Sequence, residues 1–223
     1  IAVIGTGASA IQLIPAIADE VAELLVFQRT ANWLMPTPHY YSALSDETRW
    51  LFSHVPNYGQ WYRFWLFWQL AEGMLPAARV DPDWPQDRGS VNARNEDLRA
   101  LLTAYLEAQF ADRPDLVPQV VPRYPPLAKR ILLDNGIWAR TLKREHVQLV
   151  TADIERITPR GIVVDGVEHE VDVIVYATGF DASRFLAPMR VTGRGGVDLH
   201  EQWEGSARAY LGMTIPAFPN LFC

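Results

Sequence analysis

Cysteine occurs once in the 223 residues, as Cys223. A single thiol excludes a disulfide framework, a Cys-x-x-Cys redox pair and a thiolate metal cluster within the chain. It fits a reducing compartment, so a cytoplasmic location is expected. Clustered cations are missing as well: the formal net charge is -6 and no basic run occurs, which argues against a nucleic-acid partner. No apolar run approaches the roughly 20 residues needed to cross a bilayer; the most apolar window, 61–76, is broken by Arg63, Gln69 and Glu72. The histidines, His39, His54, His146, His169 and His200, are dispersed without ligand spacing, so no metal site is expected. There is no internal repeat, low-complexity tract or visible signal peptide, and nothing specifies an oligomeric state. Ile1 lies inside an apolar strand pattern and Leu221-Phe222-Cys223 inside an apolar run; both read as cut ends, so an internal fragment is expected.

What is present suits one or two packed domains, with 49% hydrophobic and 21% charged residues. The organising stretch is Ile1-Ala2-Val3-Ile4-Gly5-Thr6-Gly7-Ala8-Ser9-Ala10-Ile11-Gln12. Four β-leaning residues run into Gly-x-Gly-x-x-Ala, and an apolar helical pattern at Ile11, Ile14, Ile17, Ala18 and Val21 follows, which reads as strand, tight turn and helix. Gly5 serves the turn, Gly7 keeps a side chain out of the path of a pyrophosphate at the helix N-terminus, and Ala10 allows close packing of helix on strand. Leu24-Leu25-Val26-Phe27 follows about 20 residues on, where such a fold places the strand ending beside an adenosine ribose. An acid there would select NADH; Gln28-Arg29-Thr30 stands instead, and Arg29 would meet a 2′-phosphate, so NADPH is the expected nucleotide.

Beyond residue 30 the pattern changes. Pro36-Thr37-Pro38 reads as an extended connector, and Ser45-Asp46-Glu47 as an N-cap with acids in the first turn. Residues 57–73 read as a helix whose stripe of Trp61, Tyr62, Trp65 and Trp68 is expected in the core; the alternative is a wall of a substrate channel. A loop over 81–92 and an amphipathic helix over 95–110 follow, and then prolines at 114, 118, 122, 125 and 126 lead to the adjacent cations Lys129 and Arg130. A short helix over 137–144 precedes a buried-type strand, Val147-Gln148-Leu149-Val150; strands at 154–157, 161–164 and 168–171 read as a meander. Val173-Ile174-Val175-Tyr176 is a further apolar strand, ending in Ala177-Thr178-Gly179-Phe180.

Five ordered segments, Gly5 to Gln12, Phe27-Gln28-Arg29-Thr30-Ala31-Asn32-Trp33, Lys129-Arg130-Ile131-Leu132-Leu133-Asp134, Ala177-Thr178-Gly179-Phe180-Asp181-Ala182 and Ala209-Tyr210-Leu211-Gly212-Met213, together span nearly the whole chain. In them the chain resembles the flavin-dependent class B monooxygenases, most closely the Baeyer-Villiger monooxygenases of the 4-hydroxyacetophenone-oxidising type. The resemblance implies an α/β fold: the Rossmann-like NADPH-binding domain of a flavoprotein with two dinucleotide-binding domains. On that basis residues 1–32 and 127–172 would form the NADPH domain, 33–126 a mainly helical insertion, and 173–223 the start of the returning FAD domain. It implies NADPH and FAD as cofactors, with a ketone and O2 as substrates, one oxygen atom being inserted beside the carbonyl through a C4a-peroxyflavin.

Carried over by position, Gly5, Thr6, Gly7, Ala8, Ser9, Ala10 and Gln12 would cradle the pyrophosphate, while Arg29, Thr30 and Lys129 would hold the 2′-phosphate side. Arg130 matches the catalytic arginine, a permanent cation suited to stabilising oxygen anions. Thr178 and Gly179 match the segment crossing back near the flavin. The family's FAD-binding Gly-x-Gly-x-x-Gly, its Phe-x-Gly-x-x-x-His-x-x-x-Trp fingerprint and its C-terminal substrate-side segment have no counterpart in these residues, so the fragment alone is expected to be inactive. Three alternatives stand beside this reading: an N- or S-oxygenating relative, a nucleotide-disulfide reductase, which would need a redox cysteine pair, and a truncated, non-catalytic NADP-binding fragment.

Overall fold

The computed structural model describes every residue except 41, 182 and 183, and it divides into two compact units, Ile1–Thr178 and Gly179–Cys223. The first begins as the glycine pattern leads one to expect, with β1 (Ala2–Ile4), α1 (Ala10–Ile17) and β2 (Leu24–Phe27). After β3 (Leu34–Pro36) comes a helical stretch: α2 (Asp46–His54), α3 (Tyr58–Leu70), α4 (Leu75–Ala78), α5 (Ala93–Gln109) and α6 (Val117–Val120). The caps explain where two of these begin. The Ser45 hydroxyl accepts from the Thr48 N–H, and the Asn92 side chain from the Asn95 N–H, each satisfying a first-turn donor that has no partner within its helix.

The chain then returns through β4 (Leu132–Asp134), α7 (Ile137–Leu142), β5 (Val147–Val150), β6 (Ile154–Ile157), β7 (Gly161–Val164), β8 (Val167–Glu170) and β9 (Ile174–Tyr176). The main sheet has the order β5-β2-β1-β9, with all three pairings parallel. Because side chains alternate across a strand, Val3 and Val26 face one side of this sheet, while Ala2, Leu25 and Phe27 face the other. The first side is covered by Ala10, Ile11 and Ile14 of α1, Trp138 and Leu142 of α7, and Leu102, Leu106 and Phe110 around α5. The second is covered by Ile162 and Val164 of the antiparallel β6-β7-β8 meander. Both faces are therefore dry, as a parallel sheet requires. In the meander, Asp165 and Gly166 take φ of 49° and 74°, the two positive values of a tight hairpin turn.

Two features differ from the sequence reading. The connector at residue 36 is the end of a strand, since β3 pairs in parallel with β4. The aromatic stripe is not core: α3 contains no buried residue, and Trp61 is 68% exposed. Its rings lie on one another along the helix, Tyr62 on Trp65 with centroids 6.1 Å apart and Phe64 on Trp68 at 6.0 Å. A helix apolar on every side carries no direction in its pattern, so periodicity could not say which face, if any, meets the sheet.

The second unit holds α8 (Leu199–Trp203) and an antiparallel pair, β10 (Thr214–Ile215) with β11 (Phe218–Phe222). Leu199, Trp203, Ile215 and Phe218 form its own small core. The Asp198 carboxylate caps α8, accepting from the N–H groups of His200 and Glu201. Ala182, last residue of the segment beginning at Ala177, lies outside the described residues. No helix among the described residues is long and apolar enough to cross a membrane.

Candidate functional site

β1 is the switch point of the sheet, with β2 on one side and β9 on the other. In open α/β sheets the crevice beyond the carboxyl ends of such strands is where ligands sit. Two backbone bonds fix this end: the Gly5 N–H donates to the Phe27 carbonyl at 2.9 Å, and the Ala177 N–H to the Ile4 carbonyl at 2.9 Å. Gly5 has φ +105°, and a Cβ placed there would lie 2.5 Å from the Ala177 carbonyl oxygen. The first glycine is thus required by the neighbouring chain as well as by the turn. At Gly7 an added Cβ would meet nothing within 4 Å. Gly7 faces open space at the N-terminus of α1, the positive end of its dipole, where the Ile11 and Leu13 N–H groups are already taken by the Gly7 and Ser9 carbonyls. A pyrophosphate fits such a cradle. Ala10 is fully buried, at the packing of helix on strand.

Thr6 is buried at 5% exposure and turns inward. Its hydroxyl donates to the Thr30 carbonyl at 3.4 Å, while the Asn32 amide donates to the Thr6 carbonyl at 2.6 Å. The glycine loop and the end of β2 are therefore tied to each other. Ser9 precedes α1 without a side-chain capping bond, and the Gln12 amide donates to the Ala8 carbonyl at 2.7 Å.

Two clefts flank this loop. The first is lined by Ala8 and Gln12 from α1, by Arg130, Asp134 and Asn135, and by Leu70 and Met74 from the helical stretch. Arg130 is exposed and makes no ion pair with a described residue, so its charge is available to whatever enters. The wall behind it is rigid. Asp134 is buried; its carboxylate accepts from Tyr105 Oη at 2.8 Å, the Gly136 N–H at 3.0 Å and the Trp138 N–H at 3.3 Å. Burial, reinforced by the Asp134 hydrogen bond and charge, pushes the Tyr105 phenol well above its ordinary pKa.

The second cleft lies at the end of β2, lined by Arg29 and Thr30 on one side and by Gln119, Arg123 and Tyr124 on the other. Lys129 is near it without lining it: its ammonium stands 4.9 Å over the ring of Tyr124, which does. Tyr124 is held by Trp33, whose indole N–H donates to the Tyr124 carbonyl at 2.9 Å. The adjacent cations Lys129 and Arg130 thus face different neighbours: Arg130 lines the first cleft, while Lys129 stands over the Tyr124 ring. Thr178 follows β9 and is exposed; Gly179, in the second unit, is exposed with φ +90°. Asn32, Arg123 and Tyr124 were given no role in the sequence reading. Asn32 lay inside the Phe27 to Trp33 segment, but its function is a contact with a backbone carbonyl, which leaves no trace in residue type.

These features define an α/β protein with a nucleotide-type glycine loop and cationic clefts on both sides of it. No family model matches the chain. Over its full length it is 44% identical to an uncharacterized monooxygenase of Sinorhizobium fredii, spanning 34% of that protein. It is 36% identical, over 99% of its length, to an FAD-binding monooxygenase of Aspergillus niger, again spanning 34%. A Baeyer-Villiger monooxygenase of Pseudomonas aeruginosa is 35% identical over the whole chain, which spans 40% of it. Among solved structures, OTEMO in complex with FAD and NADP superposes with a TM-score of 0.74 at 28% identity, covering 99% of this chain and 45% of that one. Oxidized steroid monooxygenase bound to NADP gives 0.72 at 30% identity, covering 99% and 46%. The chain is therefore similar along its whole length to part of the FAD-binding and Baeyer-Villiger monooxygenases, and spans less than half of each of these relatives.

Proposed function

We propose that the chain is the NADPH-binding, Rossmann-like portion of an FAD- and NADPH-dependent monooxygenase that inserts one atom of O2 beside a ketone carbonyl. The observation that carries this reading is the shared cleft of Arg130 with Ala8 and Gln12, which puts a permanent cation next to the glycine loop. The order β5-β2-β1-β9, third, second, first and fourth in chain sequence within the sheet, supports this, since it matches the 3-2-1-4 part of the dinucleotide-binding order. The absence of an acid at the end of β2 and the presence of Arg29 favour NADPH over NADH.

Within the reaction, bound FAD supplies the activation of O2 and NADPH the reducing hydride. The chain's own residues bind, orient and neutralise. Gly5, Gly7 and the first turn of α1 receive the pyrophosphate, Arg29, Thr30 and Lys129 the 2′-phosphate, and residues 173–223 would belong to the FAD side with Thr178 and Gly179 at the crossing. Arg130, which cannot lose its proton, would stabilise negative charge that develops on oxygen during transfer to the carbonyl. Leu70 and Met74 give the same cleft an apolar wall suited to the body of a ketone.

The test uses the full-length protein, assayed for NADPH oxidation and ester formation with an aryl ketone and O2. Ester supports the reading. NADPH oxidation giving an N- or S-oxide from amines or sulfides, with no ester from any ketone, overturns the ketone chemistry.

A further inference from the structure

The cleft at the end of β2 contains a second arginine. Arg29 and Thr30 stand on one side, Arg123 and Tyr124 on the other, and Gln119 and Thr151 close it. No carboxylate lines it, although the chain as a whole carries a net charge of -6. Neither guanidinium forms an ion pair with a described residue, whereas Arg113, Arg144 and Arg160 all pair with acids. Two guanidinium groups that line one concavity without a carboxylate make it a positively charged recess suited to an anion. Nor does the fold require Arg123: its side chain is exposed.

The approach of this second arginine is fixed. The Gln28 amide, buried at the end of β2, donates to the Gln119 carbonyl at 2.7 Å, so the strand end and the segment bearing Arg123 are joined across the bottom of the cleft. On the far side the Trp33 indole holds the Tyr124 carbonyl, the residue next to Arg123. Both supports come from the segment 28–33, which also carries Arg29 and Thr30, so one short segment holds both sides.

We infer that Arg123 is a specificity-determining residue that closes on the 2′-phosphate of NADPH from the side opposite Arg29. The inference rests on the nucleotide reading above and adds to it a residue from the helical stretch. Two guanidinium groups can each give a forked pair of N–H bonds to a phosphate dianion, and neither would find such a partner on the bare ribose of NADH.

The experiment is calorimetric titration of the full-length protein and its Arg29→Ala, Arg123→Ala and Arg123→Lys variants with NADP, NAD and adenosine 2′,5′-bisphosphate, independent of turnover. Arg123→Ala is expected to weaken NADP and the bisphosphate about 10-fold while leaving NAD unchanged, with Arg123→Lys between. Loss with Arg29→Ala but none with Arg123→Ala overturns this inference and leaves the nucleotide site standing. Equal loss of NADP and NAD with Arg123→Ala also overturns it, because the contact would then be to a shared part of the nucleotide. If neither alanine variant changes the preference for NADP over NAD, the cleft is not the 2′-phosphate site and both readings fall.

Discussion

The side-chain amide of Asn32 donates to the carbonyl of Thr6 at 2.6 Å, and its contact with the Thr6 hydroxyl is 3.2 Å. One residue after the end-of-strand segment thus grips the centre of the glycine loop. On the proposed reading, this bond would help tie the pyrophosphate side of the site to the 2′-phosphate side, beside the Thr6 hydroxyl's own bond to the Thr30 carbonyl. Asn32→Ala removes the donor and is expected to weaken NADP binding by roughly 5-fold, about 1 kcal/mol, with the maximal rate little changed. Titration alongside steady-state kinetics separates the two effects; an unchanged dissociation constant would refute the tie.

Arg130→Ala is expected to leave flavin reduction by NADPH within a few-fold of the parent and to abolish ester formation. Stopped-flow flavin absorbance and product analysis read the two half-reactions separately. Ester yield equal to that of the parent would remove Arg130 from the chemistry.

Gly5→Ala combines a positive φ with a Cβ driven onto a backbone oxygen rather than onto a flexible side chain. The conformational cost and the forced shift add to about 2–4 kcal/mol. Denaturant midpoints should show that loss, whereas Gly7→Ala should leave stability nearly untouched and weaken nucleotide binding, since its methyl would enter only open space.

Alkaline stability carries the signature of Tyr105. An unfolded tyrosine loses its proton near pH 10, while in the folded chain burial and Asp134 hold the proton on to higher pH. Above about pH 10 the folded state therefore binds the extra proton, and stability falls as pH rises. Tyr105→Phe is expected to begin lower at pH 7, having lost a bond to a carboxylate, and then to decline less steeply between pH 10 and 12. Parallel slopes in urea unfolding across that range would count against the assignment.

Packing reverses what two helices suggest on paper: α3 is the more apolar in sequence, yet the buried residues are in α5. Leu106 is fully buried and Trp65 is 54% exposed. Leu106→Ala should cost about 2–5 kcal/mol, and Trp65→Ala no more than about 0.5 kcal/mol, as measured by urea unfolding of the chain.

Much of the first unit was legible because its signals are local. Val147–Val150 and Gly161–Val164 form strands where short, mainly apolar runs lie between turn residues, and Asp165-Gly166 makes a turn that its own two residues dictate. The pairing of β3 with β4 was not legible, since three-residue strands joined across nearly the whole helical stretch carry no periodicity. The exposure of α3 was hidden for a related reason: aromatic residues on every face report attraction to something apolar without saying what. At the site, glycine identity exposed Gly5 because its positive φ and the Ala177 carbonyl demand that residue type, whereas Gly7 was legible only from its spacing in the motif. Asn32 and Arg123 act across distance in sequence, and many other residue types would have looked equally plausible at either position.

The in-register pairing of Ala2 with Ile174 has a consequence for how the unit is made. β2 reaches β1 after a short crossover, but β9 is synthesised on the order of 170 residues later, a contact of high order and slow closure. Until it docks, β1 presents one unpaired edge, and Gly5 has no Ala177 carbonyl against it. The glycine loop therefore takes its final shape only once β9 has docked, and a nascent chain paused before Ala177 exposes a strand edge open to pairing with other chains.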